Sequence, residues 1–186
     1  MATGVARRRF TLDDYHKMAE AGILSEDDRV ELIAGEIVQL SPIGKYHAAC
    51  VKRLNRQLGL QLGDEVVIGI QDPVALGDDL APQPDVSVLR AREDYYAEGL
   101  PSPEDILLVM EVADTSLAYD RQVKLPLYAR AGVPETWLWD LPQQLVERHS
   151  DPSEWGYRSI TRAGRGEQLA STVLPSLVIR VDDVLA

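Results

Sequence analysis

The sequence contains a single cysteine, Cys50, in 186 residues, so no disulfide can close within the chain, and this usage fits a reducing compartment. No stretch approaches the roughly 20 consecutive apolar residues that a membrane helix needs, and the N-terminus has no apolar signal core. A cytoplasmic protein with no membrane span is the expectation. Positive charge is scarce as well: 19 Lys and Arg stand against 30 Asp and Glu, a formal net charge of -11. That balance argues against broad, non-specific attraction to nucleic acid, which rests on cations neutralising phosphates. It leaves room for a local basic groove, or for an acidic pocket that a metal ion neutralises. Neither usual Gly-rich nucleotide loop is present, the lone cysteine and three dispersed histidines give no zinc spacing, and there is no Gly-x-Ser-x-Gly elbow. Internal repeats, low-complexity segments and linkers are missing too. With 45% hydrophobic residues to build a core, residues 1–186 are read as one domain.

What is present centres on Ile106-Leu107-Leu108-Val109-Met110-Glu111-Val112-Ala113. This almost unbroken apolar run reads as a strand buried on both faces of a sheet. Glu111 is expensive there unless a cation, hydrogen bonds or a shifted pKa offsets its lost hydration. It is therefore either part of a site, or a residue at the strand's wet end or in a structural ion pair. A second informative stretch is Pro82-Gln83-Pro84-Asp85-Val86-Ser87-Val88-Leu89, where two prolines extend the chain before a strand that begins at Asp85. Alone, Asp85 reads as an aspartate capping a strand entrance.

Around these runs the pattern alternates between helix and strand. Thr11 reads as the N-cap of a short amphipathic helix ending near Gly22, and Arg29 to Leu40 as a hairpin turning at Ala34-Gly35. Glu31, between Val30 and Leu32, is expected to face solvent from that hairpin. A basic helix from about Tyr46 to Leu62 carries Lys52, Arg53 and Arg56, with His47 in its first turn. Val66 to Ile70 is a strand that Gln71 to Leu76 could extend after a bend at Pro73, and Arg90 to Pro103 is a long connection, a flap or a partly ordered loop. After residue 113 a helix runs to about Ala131, with Asp120, Lys124 and Tyr128 on one face and Pro126 predicted to kink or split it near Lys124. On its own, the Asp120 and Lys124 pair reads as solvent-facing. Strands follow at Glu135–Asp140, Gln144–Arg148, Tyr157–Thr161 and Leu174–Val181, then a short helix at Asp182–Leu185; Trp137 and Trp139 are taken as packing. The fold class is α+β with a mixed sheet. If the strands of Asp85 and Glu111 pair, their oxygens can converge on one hard divalent cation.

The order Val30-Glu31-Leu32-Ile33-Ala34-Gly35-Glu36, Ser41-Pro42 with His47, Gln83-Pro84-Asp85-Val86, Glu111-Val112-Ala113-Asp114, Asp120 with Lys124, Tyr128 to Glu135 and Trp137-Leu138-Trp139-Asp140 resembles the Uma2 family of putative restriction endonucleases, within the PD-(D/E)XK nuclease superfamily. The resemblance spans nearly the whole chain. It implies a restriction-endonuclease-like core, a mixed sheet flanked by helices with an acidic site at one end, and often a homodimer. Pro84-Asp85 matches the motif's PD and Glu111 its second acidic residue, while Ala113 stands where the superfamily usually has lysine. Lys124 on the next helix matches the displaced lysine, and Glu31 the acidic residue of the early strand.

The resemblance thus implies catalytic Asp85, Glu111, Lys124 and Glu31, and Mg2+ or Mn2+ held by Asp85, Glu111 and the Ala113 backbone carbonyl. His47 and Tyr128 match further family positions and are assigned to substrate with Lys52 and Arg53 of the basic helix. The implied activity is metal-dependent cleavage of DNA. A nuclease fold kept as a binding or assembly module, and a hydrolase of a small phosphorylated substrate, are the alternatives.

Overall fold

The computed structural model describes residues 7–25 and 28–185. Its first helix, α1 (Leu12–Glu20), starts where the sequence puts a cap: Thr11 and Asp14 satisfy each other's backbone N–H groups in a capping box. The hairpin β1 (Val30–Ile33) and β2 (Glu36–Gln39) turns through Ala34 and Gly35 at φ 49° and 75°, the left-handed pair that a two-residue hairpin turn requires. The basic helix α2 spans Lys45–Leu62.

A six-stranded sheet follows, in the order β3 (Val66–Ile70), β4 (Val86–Arg90), β5 (Ile106–Ala113), β6 (Glu135–Asp140), β7 (Leu145–Ser153) and β8 (Gly156–Gly164). Every pairing is antiparallel except β5 with β6, so the sheet is mixed and the protein is α+β. A parallel pair needs a crossover, and the helical segment after β5 supplies it. β9 (Gln168–Ala170) and β10 (Val178–Arg180) form a separate ribbon before the short α5 (Val181–Val184).

The central strand β5 is buried on both faces, as its apolar run predicts. Leu108, Met110 and Val112 join Leu54 and Leu58 of α2, Trp137 and Trp139 in the main core. On the opposite face, Val109 packs with Tyr128, and Ala113 with Leu125 and Leu138.

Some expectations are corrected. Gln71 to Leu76 does not extend β3, because Gln71 adopts φ 57° and turns the chain out of the sheet. Of Leu174–Val181 only Val178–Arg180 is strand, and Asp85 precedes β4 rather than beginning it. The connection from 90 to 103 is a chain of turns in which the Arg92 guanidinium lies 4.3 Å from the Tyr96 ring centroid.

The crossover is split into α3 (Leu117–Tyr119), a π-helical turn (Asp120–Lys124) and α4 (Leu125–Arg130). Leu125 N–H donates to Asp120 O, five residues back. Proline at 126 lacks an N–H and its ring crowds the preceding turn, and the widened π-turn accommodates both. Asp120 and Lys124 are buried rather than solvent-facing, since the π-turn is laid against the sheet.

Candidate active site

The register of β4 against β5 pairs Val86 with Met110, so one further step puts Asp85 opposite Glu111 at the end where β4 stops. With no sheet partner there, the Val112 N–H donates to Asp85 Oδ2 at 2.8 Å. Gln71 Nε2 donates to Asp85 Oδ1 at 3.1 Å, and His47 Nε2 lies 3.0 Å from Oδ2. Burial opposes ionisation of Asp85, but the hydrogen bond and charge of His47, with the Val112 and Gln71 donors, outweigh it and hold the carboxyl below its usual value.

Glu111 is 2% exposed and contacts the crossover. Its Oε1 accepts from Lys124 Nζ at 3.1 Å and from the Tyr128 hydroxyl at 2.5 Å. The same lysine lies 3.2 Å from Glu31 Oε2 and donates to the Gln83 carbonyl at 3.3 Å. Glu31 is fully buried instead of facing solvent, and its other partners are the Gln83 N–H and the Tyr119 hydroxyl, both at 3.1 Å. The π-turn therefore delivers one ammonium between two carboxylates on different elements. Burial disfavours the charge on Lys124, yet Glu111, Glu31 and Asp120 hold its pKa well above the ordinary lysine value.

Burial pushes Glu111 up to about 8; Lys124 and Tyr128 oppose that shift, and the negative charges of Asp85 and Asp120 add to it. Asp120, accepting from Ser116 Oγ at 2.6 Å, is likewise raised, first by burial.

These groups border a cleft of about 420 Å³ lined by Asp85, Glu111, Asp120, Lys124, His47 and Gln71. Three buried carboxylates, Glu31, Glu111 and Asp120, and the part-buried Asp85 thus share one lysine and one histidine, a deficit of positive charge that a divalent cation would correct. Among the described residues, no three His, Cys, Asp or Glu side chains come together as a metal cage. The donor set fits an ion such as Mg2+, which keeps several waters and takes one or two carboxylates: Asp85 and Glu111 face the cleft with hard oxygens.

The Ala113 carbonyl does not complete that set, because its oxygen accepts the Leu141 N–H on the β6 side. Successive peptide groups of a strand point to opposite edges, so the Val112 carbonyl is the one directed with its N–H toward Asp85.

The other expected residues divide. His47 lines the cleft. Tyr128 is fully buried and holds Glu111, which excludes direct contact with substrate. Lys52 is exposed on α2 and lines neither this cleft nor the neighbouring one, whereas Arg53 lines the neighbouring one. Gln71, Gln83 and Tyr119 belong to the site without having been singled out. Only Gln83 adjoined a recognisable motif, and Gln71 enters because the chain bends there. Burial pushes the Cys50 thiol up to about 12, so it is no nucleophile.

The sequence description Uma2, Putative restriction endonuclease, matches residues 12–182. The chain belongs to the Uma2 family. Among curated proteins none matches it. A solved structure with the Uma2 chain's fold is a putative nuclease belonging to DUF820 from Anabaena variabilis ATCC 29413. The two share 16% identity at a TM-score of 0.73, over 95% of this chain and 97% of that one. That likeness shows that this Uma2 member shares the fold of that structure; in this chain it is a six-stranded mixed sheet flanked by helices. No described helix is long and apolar enough to cross a membrane.

Proposed function

We propose that the protein is a divalent-metal-dependent endonuclease that hydrolyses phosphodiester bonds in DNA. The observation that carries this reading is Lys124, buried and bridged between Glu31 and Glu111 in the lining of a cleft that Asp85 also borders. Asp85, Glu111 and the Val112 carbonyl are the groups that would hold Mg2+ or Mn2+, which when bound supplies charge for a phosphate oxygen and acidifies a water.

The chain's own residues do the rest. Gln71, His47 and the Val112 N–H fix the Asp85 carboxylate, so its oxygens need little reorganisation on binding. Glu31 and the Gln83 carbonyl hold the Lys124 ammonium at the cleft wall, where it can orient the attacking water and offset charge growing on phosphorus. Tyr128 has its hydroxyl committed to Glu111 and acts as a positioning residue. The family resemblance extends the reading to a homodimer in the cytoplasm, which sedimentation at defined concentrations and localisation of a tagged chain would check.

The test is cleavage of plasmid and oligonucleotide DNA with Mg2+ or Mn2+ by wild type, Asp85→Ala and Lys124→Ala. Loss of at least about a hundredfold in each variant is expected, the scale of removing a charge-stabilising group. Equal cleavage by all three overturns the assignment.

A further inference from the structure

A second cleft, about 580 Å³, lies against the first turn of α2 and is bordered by Lys45, Tyr46, Arg53, Arg165 and Asp114. It adjoins the carboxylate cleft: Asp114 lines both, and His47, next to Tyr46 in the same helical turn, reaches Asp85.

Two of its features occur together. Three cations border it against a single lining carboxylate, in a protein of net charge -11. Tyr46 is 68% exposed although aromatic, and Lys45 Nζ lies 5.0 Å from its ring centroid. Arg165 is oriented by Asp182 at 3.0 Å, and Arg53 by the Val184 carbonyl at 3.1 Å, so both guanidinium stems are anchored beside the groove. An exposed ring on which a base can stack, with cations spaced around it for phosphates, is the physical requirement of a single-strand track.

We propose that this groove binds an unpaired strand of the nucleic acid whose scissile phosphate occupies the carboxylate cleft, with Tyr46 stacking on a base and Lys45, Arg53 and Arg165 facing its phosphates. The proposal rests on the nuclease reading and deepens it: the preferred substrate has a single-stranded segment next to the cleavage point.

Fluorescence anisotropy with wild type, Tyr46→Ala and Tyr46→Phe tests it, using a labelled blunt duplex, the same duplex with an unpaired extension, and the extension alone. Tyr95→Ala serves as the control, an exposed tyrosine on the turns between β4 and β5.

Wild type is expected to prefer the extended duplex over the blunt one. Tyr46→Ala weakens binding of the extended duplex by about tenfold, Tyr46→Phe restores it because the ring is what stacks, and Tyr95→Ala matches wild type. Equal binding of blunt and extended duplexes by wild type, or an unchanged Tyr46→Ala, overturns the groove assignment while leaving a nuclease that cuts duplex DNA. A Tyr46→Ala that alters only the oligomeric state overturns it too, making the groove a contact between copies. Absence of both binding and cleavage for every probe removes the nuclease reading with it.

Discussion

Lys124 is the residue on which the site's charge balance depends. Removing it leaves the Glu31 carboxylate buried without its cation and strips Glu111 of a hydrogen-bond donor, and breaking a buried pair in this way costs about 3–5 kcal/mol. Lys124→Ala should therefore be strongly destabilised in urea unfolding, and adding Glu31→Gln should recover part of the loss because one uncompensated charge is gone. Glu111 makes a separate prediction about pH. Its carboxyl titrates near 8 in the folded chain against an ordinary 4.5, so between those values the folded state retains a proton that the unfolded state has released. Stability in the presence of a chelator should accordingly fall as pH rises through that window, by a contribution on the order of a few kcal/mol, and Glu111→Gln should flatten the fall. Melting temperatures of both proteins from pH 5 to 9 provide the check; parallel curves would contradict the assignment. The same residue shows what sequence can reveal: a lone carboxylate in an apolar strand is conspicuous because burial makes it costly. Glu31 is not conspicuous, since alternation in a hairpin normally places such a residue in water.

The element that makes the site is the π-turn between α3 and α4. Pro126 announces an interruption in the sequence, but a kink, a break and a π-turn all satisfy a missing N–H, and only the last is found. In a continuous helix Lys124 would have been read on a wet face with Asp120. The π-turn is fastened at its other end by Arg121, which reaches Glu147 at 3.1 Å and Asp140 at 3.3 Å. Leu138 separates Glu111 from Glu147 across β6, so the two carboxylates receive Lys124 and Arg121 from one turn. Arg121→Ala should cost about 1–3 kcal/mol, as expected when buried acceptors lose a charged donor. It should also lower cleavage more than Arg162→Ala, whose guanidinium holds Glu147 from the more exposed side. Unfolding and cleavage measured on the two variants would separate them; equal effects would mean that the π-turn keeps its place without Arg121.

At the scale of the molecule, a chain of net charge -11 binds a polyanion only through local cations, and few line the two clefts: Arg29, Lys45, Arg53, Lys124 and Arg165. With Lys124 committed to carboxylates and Arg165 already paired with Asp182, at most four can meet phosphates. The plot of log affinity against log salt should then have a slope no steeper than about -4, measured by anisotropy across salt concentrations. A slope near -8 would require a basic surface that neither cleft provides. Most of the sheet was legible because β5, β6 and the hairpins carry patterns whose periods belong to single strands. The bend at Gln71 and the shortness of β10 were not, because they depend on what the chain meets rather than on its own period. By itself, the sequence determined the α+β class, the buried central strand with its one carboxylate, the capped first helix and the interruption at Pro126, all consequences of local sterics and hydrophobic spacing. Only the tertiary structure decided that Asp85 ends opposite Glu111, that Lys124 turns inward between two carboxylates, and that Val112 rather than Ala113 presents its peptide group to the cleft. Those outcomes depend on register and on a π-turn, and both are set by contacts between residues far apart in the chain.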